Sequence, residues 1–217
     1  MAVSRPVRRA VIFGGPLLAY VIGIAHPAHL VVGESDRLFV AIHLVFPFVI
    51  CLLAWALYLL VDGVENRAAT LARVLVVPFA VAYTAFEAVA GIARGVLVWK
   101  AHGLTGDREL HAAELISSWT HSPIWHPLYL IAAGLWLAAA LSVVVALRAH
   151  APVPALVLMA VGALLFARSH VRPWGPGGMA AFLAGVVWVE LHAARLRAEA
   201  RDGEENVSPT PATQTRR

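Results

Sequence analysis

Long runs of apolar residues, separated by short polar segments, recur along this chain and limit what it can fold into. A helix that crosses about 30 Å of hydrocarbon needs about 20 mostly apolar residues. Six runs approach or exceed this length, although the last two are short. They are Val7–His26, Leu38–Val61, Val74–Trp99, Pro123–Leu147, Val153–Ala167 and Gly178–Ala194. The pattern predicts an all-α, polytopic membrane bundle of six transmembrane helices.

The low content of charged residues also favours a membrane location. Charged residues make up 14% of the 217 residues, whereas soluble domains contain roughly 25%. We therefore expect the lipid bilayer to surround much of the chain, with residues 1–200 forming one transmembrane domain. The polar, Pro- and Thr-rich segment 201–217 is predicted to be a disordered cytoplasmic tail. Cys51 is the only cysteine, so no intrachain disulfide can form.

The distribution of basic residues predicts the orientation, because cytoplasmic loops of membrane proteins are enriched in Lys and Arg. With the N-terminus inside, eleven arginines fall on inner segments: Arg5, Arg8, Arg9, Arg67, Arg73, Arg148, Arg195, Arg197, Arg201, Arg216 and Arg217. Five basic residues fall on outer segments: Arg37, Lys100, Arg108, Arg168 and Arg172. The excess predicts that both termini are cytoplasmic. The Arg- and Ala-rich composition indicates a GC-rich bacterial genome, and hence the plasma membrane.

The first apolar run has a second interpretation. The basic residues before it and Ala25 near its end resemble a secretory signal peptide with its cleavage site. Pro16 interrupts the run, and its length favours a transmembrane span. Cleavage would remove the first span and leave the other five in place.

The longest connection, Lys100–Ser122, separates the third run from the fourth. Leu110, Ala113 and either Ile116 or Trp119 form one stripe at helical spacing, which predicts a short amphipathic helix on the outer surface. The sequence contains no Gly-rich phosphate loop and no GxSxG motif. Basic residues do not interleave with aromatic ones in a polar domain, so we expect no nucleic-acid partner.

Glu87 is the most unusual residue of the apolar runs, since it falls near the middle of the third. A charged side chain at the centre of a bilayer costs about 2.5–3.5 kcal/mol on insertion scales, so Glu87 should face protein or a wet cavity. Gly91 and Gly95 follow at four-residue spacing and predict a close-packed face on the same side. We expect Glu87 to transfer protons or bind an ion, with Arg94 about two turns further along. The alternative is a neutral carboxylic acid hydrogen-bonded to a neighbour such as Tyr83.

Histidines are concentrated at the predicted outer end of the bundle. Eight of the ten lie there: His26, His29, His43, His102, His111, His121, His126 and His170. His26 ends the first span, His43 lies about one turn into the second, and His126 lies in the first turn of the fourth. These three imidazoles therefore reach a similar depth, and His29, His121 and His170 are available from loops.

Three kinds of site could use this histidine layer. A zinc site would take His26, His43 and His126 together with a water molecule. A haem would take His43 and His126 as ligands, with an arginine such as Arg94 near its propionates. A copper site would take two or three imidazoles. The alternative is that the imidazoles only occupy the membrane interface, where a half-apolar, half-polar ring is well suited.

Three functions remain open from the sequence. The first is a membrane protein that binds a transition metal or haem through the histidine layer. The second is a membrane-embedded enzyme for a lipophilic small molecule, such as an isoprenoid or acyl lipid. Its acid or base would be Glu87, with Arg94 nearby and aromatic residues such as Phe86, Trp136 or Trp188 shaping the pocket. The third is a non-catalytic subunit or scaffold that packs with other membrane subunits.

Overall fold

The computed structural model describes residues 3–27 and 36–206, and these residues form seven helices and no strand. They are α1 (Arg5–Ala25), α2 (Asp36–Leu60), α3 (Arg67–Ala101), α4 (Asp107–Thr120), α5 (Trp125–Ala146), α6 (Val153–Arg168) and α7 (Trp174–Asn206). Within α3, the segment Glu87–Ala93 is a π-helix. The predicted all-α fold is therefore confirmed for the described residues, and α4 occupies the connection where a short helix was expected.

Six of the helices form a closed ring that follows the order of the chain. α1 packs on α2, α2 on α3, α3 on α5, α5 on α6, α6 on α7, and α7 returns to α1. α4 stays outside the ring and packs on the last turns of α3. Because the connections at 61–66, 147–152 and 169–173 are short, the helices that they join run in opposite directions.

The two ends of the ring differ in chemistry. At one end, which we call the arginine end, α1 begins, and Arg8 forms an ion pair of 2.6 Å with Glu190 of α7. At the other end, which we call the histidine end, α1 finishes at Ala25 and α2 begins. The functional candidates that the fold brings together lie at the histidine end.

An aromatic core fills the interior of the ring. Trp136 of α5 is fully buried, and the centre of its indole lies 5.2–5.6 Å from the ring centres of three phenylalanines, Phe79, Phe166 and Phe182. Its Nε1–H donates a 3.0 Å hydrogen bond to the carbonyl of Ala163. The only polar atom of this large side chain is thus satisfied.

The outer surface of the ring is apolar, as a bilayer requires. Five of the described helices, α1, α2, α3, α5 and α7, are long and apolar enough to cross a membrane. Large apolar side chains such as Phe48, Val77 and Val81 point outward and are more than 60% exposed. Together these features indicate a membrane protein.

Two helices depart from the predicted bounds. α6 has 16 residues, which corresponds to about 24 Å at the helical rise, so it is shorter than the other helices of the ring. α7 is longer than the predicted span, because it begins at Trp174 and continues to Asn206, into the segment predicted to be a disordered tail. The remainder of that tail, residues 207–217, lies outside the described residues.

Glycines allow α6 and α7 to pack with their backbones almost in contact. A Cβ atom on Gly162 would lie 2.5 Å from the carbonyl oxygen of Gly178, and one on Gly178 would lie 2.7 Å from that of Gly162. Gly185 is equally close to the backbone of Ala155. Lipid provides no hydrophobic driving force between helices, so their association depends on van der Waals contacts. Small residues at such positions let the backbones come close enough to make these contacts.

We expect Gly162→Ala to destabilise the bundle, because the added methyl group meets backbone atoms that cannot move aside. Overpacking of this kind typically costs about 1–3 kcal/mol, measurable as a lower thermal unfolding midpoint in detergent. Gly134→Ala is the matched control, because nothing lies within 4 Å of its added Cβ. Equal midpoints for the two variants would contradict the close approach of α6 and α7.

Candidate metal centre

Four side chains from distant regions of the chain meet at the histidine end. His26 directly follows α1, and His43 lies about two turns into α2. Glu87 is the first residue of the π-helical segment of α3. His170 lies in the connection between α6 and α7. Because the ring closes between α7 and α1, His26 and His170 become neighbours although they are far apart in the sequence.

The three imidazoles are close enough to bind one ion. One ring nitrogen from each of His26, His43 and His170 lies within 4.8 Å of the other two. The Nε2 atoms of His26 and His43 are 3.4 Å apart. Two nitrogens that each bind zinc at about 2.05 Å with a tetrahedral angle lie about 3.3 Å from each other. His26 and His43 therefore already have the spacing of two ligands of a single ion.

The carboxylate of Glu87 lies against this group. Its Oε2 atom is 3.5 Å from Nε2 of His43, and its Oε1 atom is 4.0 Å from Nε2 of His170. The side chain is fully buried, and neither oxygen has a hydrogen-bond partner among the described residues. The Tyr83 hydroxyl also lacks a partner there, so the hydrogen bond between Glu87 and Tyr83 considered from the sequence is not formed. A buried carboxylate without hydrogen bonds is costly, and a cation would satisfy it.

Backbone carbonyls fix the protonation of two of the imidazoles. Nδ1 of His43 lies 2.7 Å from the carbonyl oxygen of Phe39, and Nδ1 of His26 lies 2.7 Å from that of Pro27. A carbonyl oxygen can only accept, so in each ring Nδ1 carries the proton and Nε2 carries a lone pair. Metal-binding histidines are commonly oriented by this type of hydrogen bond.

Gly91, which lies in the π-helical segment, creates the space for His43 against α3. A Cβ atom on Gly91 would lie only 1.9 Å from Cδ2 of His43, so the imidazole rests directly on the backbone of α3. Gly95 has the same role about one turn further on, where a Cβ atom would lie 2.9 Å from the ring of Phe39. The close-packed glycine face predicted from the sequence is present. The π-helical turn, a feature common at functional sites, was not predicted.

Aromatic rings surround the three imidazoles. The ring centre of Phe39 is 4.0 Å from that of His43, and the rings of Phe46 and Phe86 lie 5.6 and 5.8 Å from that of His170. Burial lowers the pKa of His170 well below its usual value, and the neighbouring His26 and His43 lower that pKa further. His170 is therefore neutral near pH 7, the form in which an imidazole binds a metal ion.

A cavity of about 340 Å³ adjoins the imidazoles. Its wall contains all three histidines, together with Arg94 of α3 and Trp119 of α4. Phe39, Phe86 and Trp125 contribute aromatic surface to the same cavity. The candidate centre is thus closed on the side of the aromatic core and adjoins open space on the side of α4.

The structure brings together most of the residues selected from the sequence. His26, His43 and Glu87 are in one cluster, and Arg94 lines the adjoining cavity. His126 lies elsewhere: it is exposed and is not a member of the histidine group found among the described residues. Trp125 faces the cavity, and consecutive residues of an α-helix point about 100° apart, so the side chain of His126 is directed away.

His170 takes the third position, although the sequence indicated only that it was available from a loop. Its backbone is enclosed by glycines: a Cβ atom on Gly175 would lie 2.0 Å from the His170 carbonyl oxygen, and one on Gly23 would lie 3.5 Å from it. A histidine followed by a Pro- and Gly-rich turn is the signal that could have identified it. His29, the other loop candidate, lies outside the described residues.

The aromatic residues proposed for a lipophilic pocket do not share one site. Phe86 lines the cavity, Trp136 is enclosed in the aromatic core, and Trp188 is 44% exposed on the outer surface.

A comparison with known protein families, curated proteins and solved structures gave no match for this chain. The geometry of the cluster itself is therefore what indicates a function.

We expect Gly91→Ala to disrupt the cluster, because the new methyl group would occupy the position of the His43 ring. The affinity of the purified protein for Zn²⁺, measured by isothermal titration calorimetry, should fall by more than about tenfold, the scale of losses when a ligand is misoriented. Gly134→Ala, with open space around its added Cβ, should retain the parental affinity. Unchanged affinity in Gly91→Ala would show that the position of His43 is unimportant.

Proposed function

We propose that this protein is a membrane-embedded metalloprotein that holds one divalent transition-metal ion between His26, His43 and His170, with Glu87 beside the ion. The observation that carries the proposal is the close approach of two ring nitrogens. Nε2 of His26 and Nε2 of His43 face each other at 3.4 Å, while both Nδ1 protons are donated to backbone carbonyls. Two lone pairs repel each other, and a cation bound between them turns this repulsion into attraction.

The donor set favours zinc over the other ions considered. Three imidazoles and a carboxylate form a mixed nitrogen and oxygen site without thiolate, which suits Zn²⁺ in tetrahedral geometry. Zn²⁺ with three histidines keeps a fourth position, which Glu87 or an exogenous group would occupy. Haem is less well supported, because a third imidazole within 4.8 Å of the other two fits one compact ion better than two axial ligands of a porphyrin.

A metal-dependent enzyme is the second candidate, and the cavity next to the cluster favours it. Glu87 would serve as acid or base toward a molecule bound in that cavity, as expected from the sequence, and the substrate would be amphiphilic or lipophilic. A purely structural scaffold is less well supported. Scaffolding alone gives no reason to bury a carboxylate and three imidazoles whose acceptor atoms converge.

We also propose the full topology predicted from the sequence. The six ring helices would all cross the plasma membrane of a bacterium, with both termini and the arginine end in the cytoplasm and the metal centre toward the outer face. The excess of arginines on the inner segments supports this orientation. The shorter α6 would cross where the bilayer thins or where its ends reach the interface.

The metal proposal predicts one Zn²⁺ per chain. Protein stripped with a chelator should bind it in calorimetry, and its unfolding free energy should rise by about 2.7 kcal/mol when free Zn²⁺ is a hundred times the Kd. His43→Ala and His170→Ala should each weaken binding more than about a hundredfold, since they remove a ligand rather than its orienting partner. Glu87→Gln should weaken it about 10–100-fold.

His126→Ala is the matched control for the histidine variants, because this imidazole is exposed at the same end of the bundle. It should bind Zn²⁺ as the parent does. If His126→Ala were as damaging as His170→Ala, the ligand set would have to be revised. A parent protein that binds no Zn²⁺, Co²⁺ or Fe²⁺ would overturn the proposal.

The topology predicts which positions a membrane-impermeant maleimide can reach in intact cells. In a Cys51→Ser background, Glu114→Cys on α4 should react from outside, whereas Arg148→Cys at the arginine end should react only after the cells are lysed. Both native side chains are exposed, so burial does not protect either cysteine. Labelling with the opposite sidedness would reverse the proposed orientation.

A further inference from the structure

The cavity beside the three histidines is large enough for an organic ligand. Its volume of about 340 Å³ falls in the range of small-molecule sites and greatly exceeds the roughly 30 Å³ that one water molecule occupies. The three imidazoles, Arg94 and Trp119 all line this cavity. One bound molecule could therefore contact all of them.

Two buried N–H groups of this cavity have no acceptor. Nε of Arg94 and Nε1 of Trp119 are shielded from solvent and lack a hydrogen-bond partner among the described residues. Arg94 also takes part in no ion pair found in the described segments of the chain. Buried donors are usually paired, so these two groups define the positions of acceptor atoms on a ligand.

The polar groups of the cavity all favour the same kind of ligand. A metal ion held by the imidazoles binds oxygen as a Lewis acid. The guanidinium of Arg94 carries a positive charge and planar donors that match a carboxylate or phosphate. The indole of Trp119 can only donate. An oxygen-rich anion satisfies all three, whereas a cation or a hydrogen-bond donor satisfies none.

The remaining wall is apolar. Phe39 and Phe86 present aromatic rings to the cavity, and Ala90 presents a methyl group. An inorganic anion alone would leave this surface in contact with water or empty space. A ligand that carries a hydrocarbon group would cover it and gain about fourfold in affinity for each CH₂ group buried.

We propose that this cavity, given the metal ion of the proposed function, binds an amphiphilic oxyanion. One oxygen of its carboxylate or phosphate group binds the ion, and the remaining oxygen, or oxygens in a phosphate, accept hydrogen bonds from Arg94 and Trp119. Its hydrocarbon group lies against Phe39 and Phe86. The ligand is either a free small molecule or the headgroup of a lipid, which share this chemistry.

Cobalt provides the test, because Co²⁺ bound by imidazoles absorbs visible light and the spectrum changes when another ligand joins the ion. Titration of the Co²⁺-loaded protein with inorganic phosphate, acetate and octanoate should give a saturable change, with octanoate binding more tightly than acetate. Arg94→Gln should weaken binding at least about tenfold, and Trp119→Phe, which removes only the N–H group, about two- to tenfold. Arg148→Gln, the same change at an exposed position, should bind as the parent does.

The outcomes separate the two proposals. Failure of the parent protein to bind Co²⁺ would overturn both the metal centre and this site. A normal Co²⁺ spectrum that no anion alters, or that responds equally in Arg94→Gln, would overturn only the oxyanion site. The spectrum of Arg94→Gln without anion also reports whether that variant is folded.

A second arm identifies the source of the ligand. The Co²⁺-loaded protein is placed in phosphatidylcholine nanodiscs with or without phosphatidic acid. A spectral difference between the two preparations assigns the site to a lipid headgroup, and a response to soluble anions alone assigns it to a free molecule. If neither lipid nor soluble anion changes the spectrum, the proposal is wrong.

Discussion

The high cost of burying Glu87 is the constraint on which the rest of the site depends. Its carboxylate is fully enclosed, without a hydrogen bond among the described residues, in a protein that has an apolar exterior. The neutral imidazoles of His26 and His43 do not relieve this cost, because both direct Nε2 lone pairs to the same place. These atoms are all acceptors, and a positive ion satisfies them together.

The closed ring of helices makes this convergence possible. Each of the three histidines comes from a different element. Because the ring follows chain order, one end of the bundle contains the end of α1, the start of α2 and the α6–α7 connection. Close backbone approach then sets the distances. Gly91 lets the His43 imidazole rest on α3, and Gly175 lets the backbone of His170 turn tightly. The glycines therefore determine how near the imidazoles come to Glu87.

Sequence patterns predict the features of the site that follow from helical periodicity. They do not predict side-chain positions that depend on the local backbone conformation. The apolar runs indicated the helices, and four-residue spacing placed Glu87, Gly91 and Gly95 on one packed face. The π-helical segment was not predictable, because its one glycine, Gly91, is equally compatible with a close-packed regular helix. Depth in the bundle is shared by His126 and His43, but the rotation of α5, set by which face packs inward, was unknown. A loop residue such as His170 has no periodicity from which to infer its direction.

The metal centre and the adjoining cavity are complementary in polarity, and this explains why they occur together. On the side of the aromatic core, the unpaired oxygens of Glu87 and the Nε2 atoms of His26 and His43 are acceptors, as a cation requires. On the side of α4, the unpaired atoms of Arg94 and Trp119 are donors, which repel a cation and attract an anion. A metal ion with a bound oxyanion matches this arrangement, because the positive ion lies next to the acceptors and the anion next to the donors. Since charge in a bilayer is stable only when compensated nearby, the ion and the anion each lower the cost of burying the other.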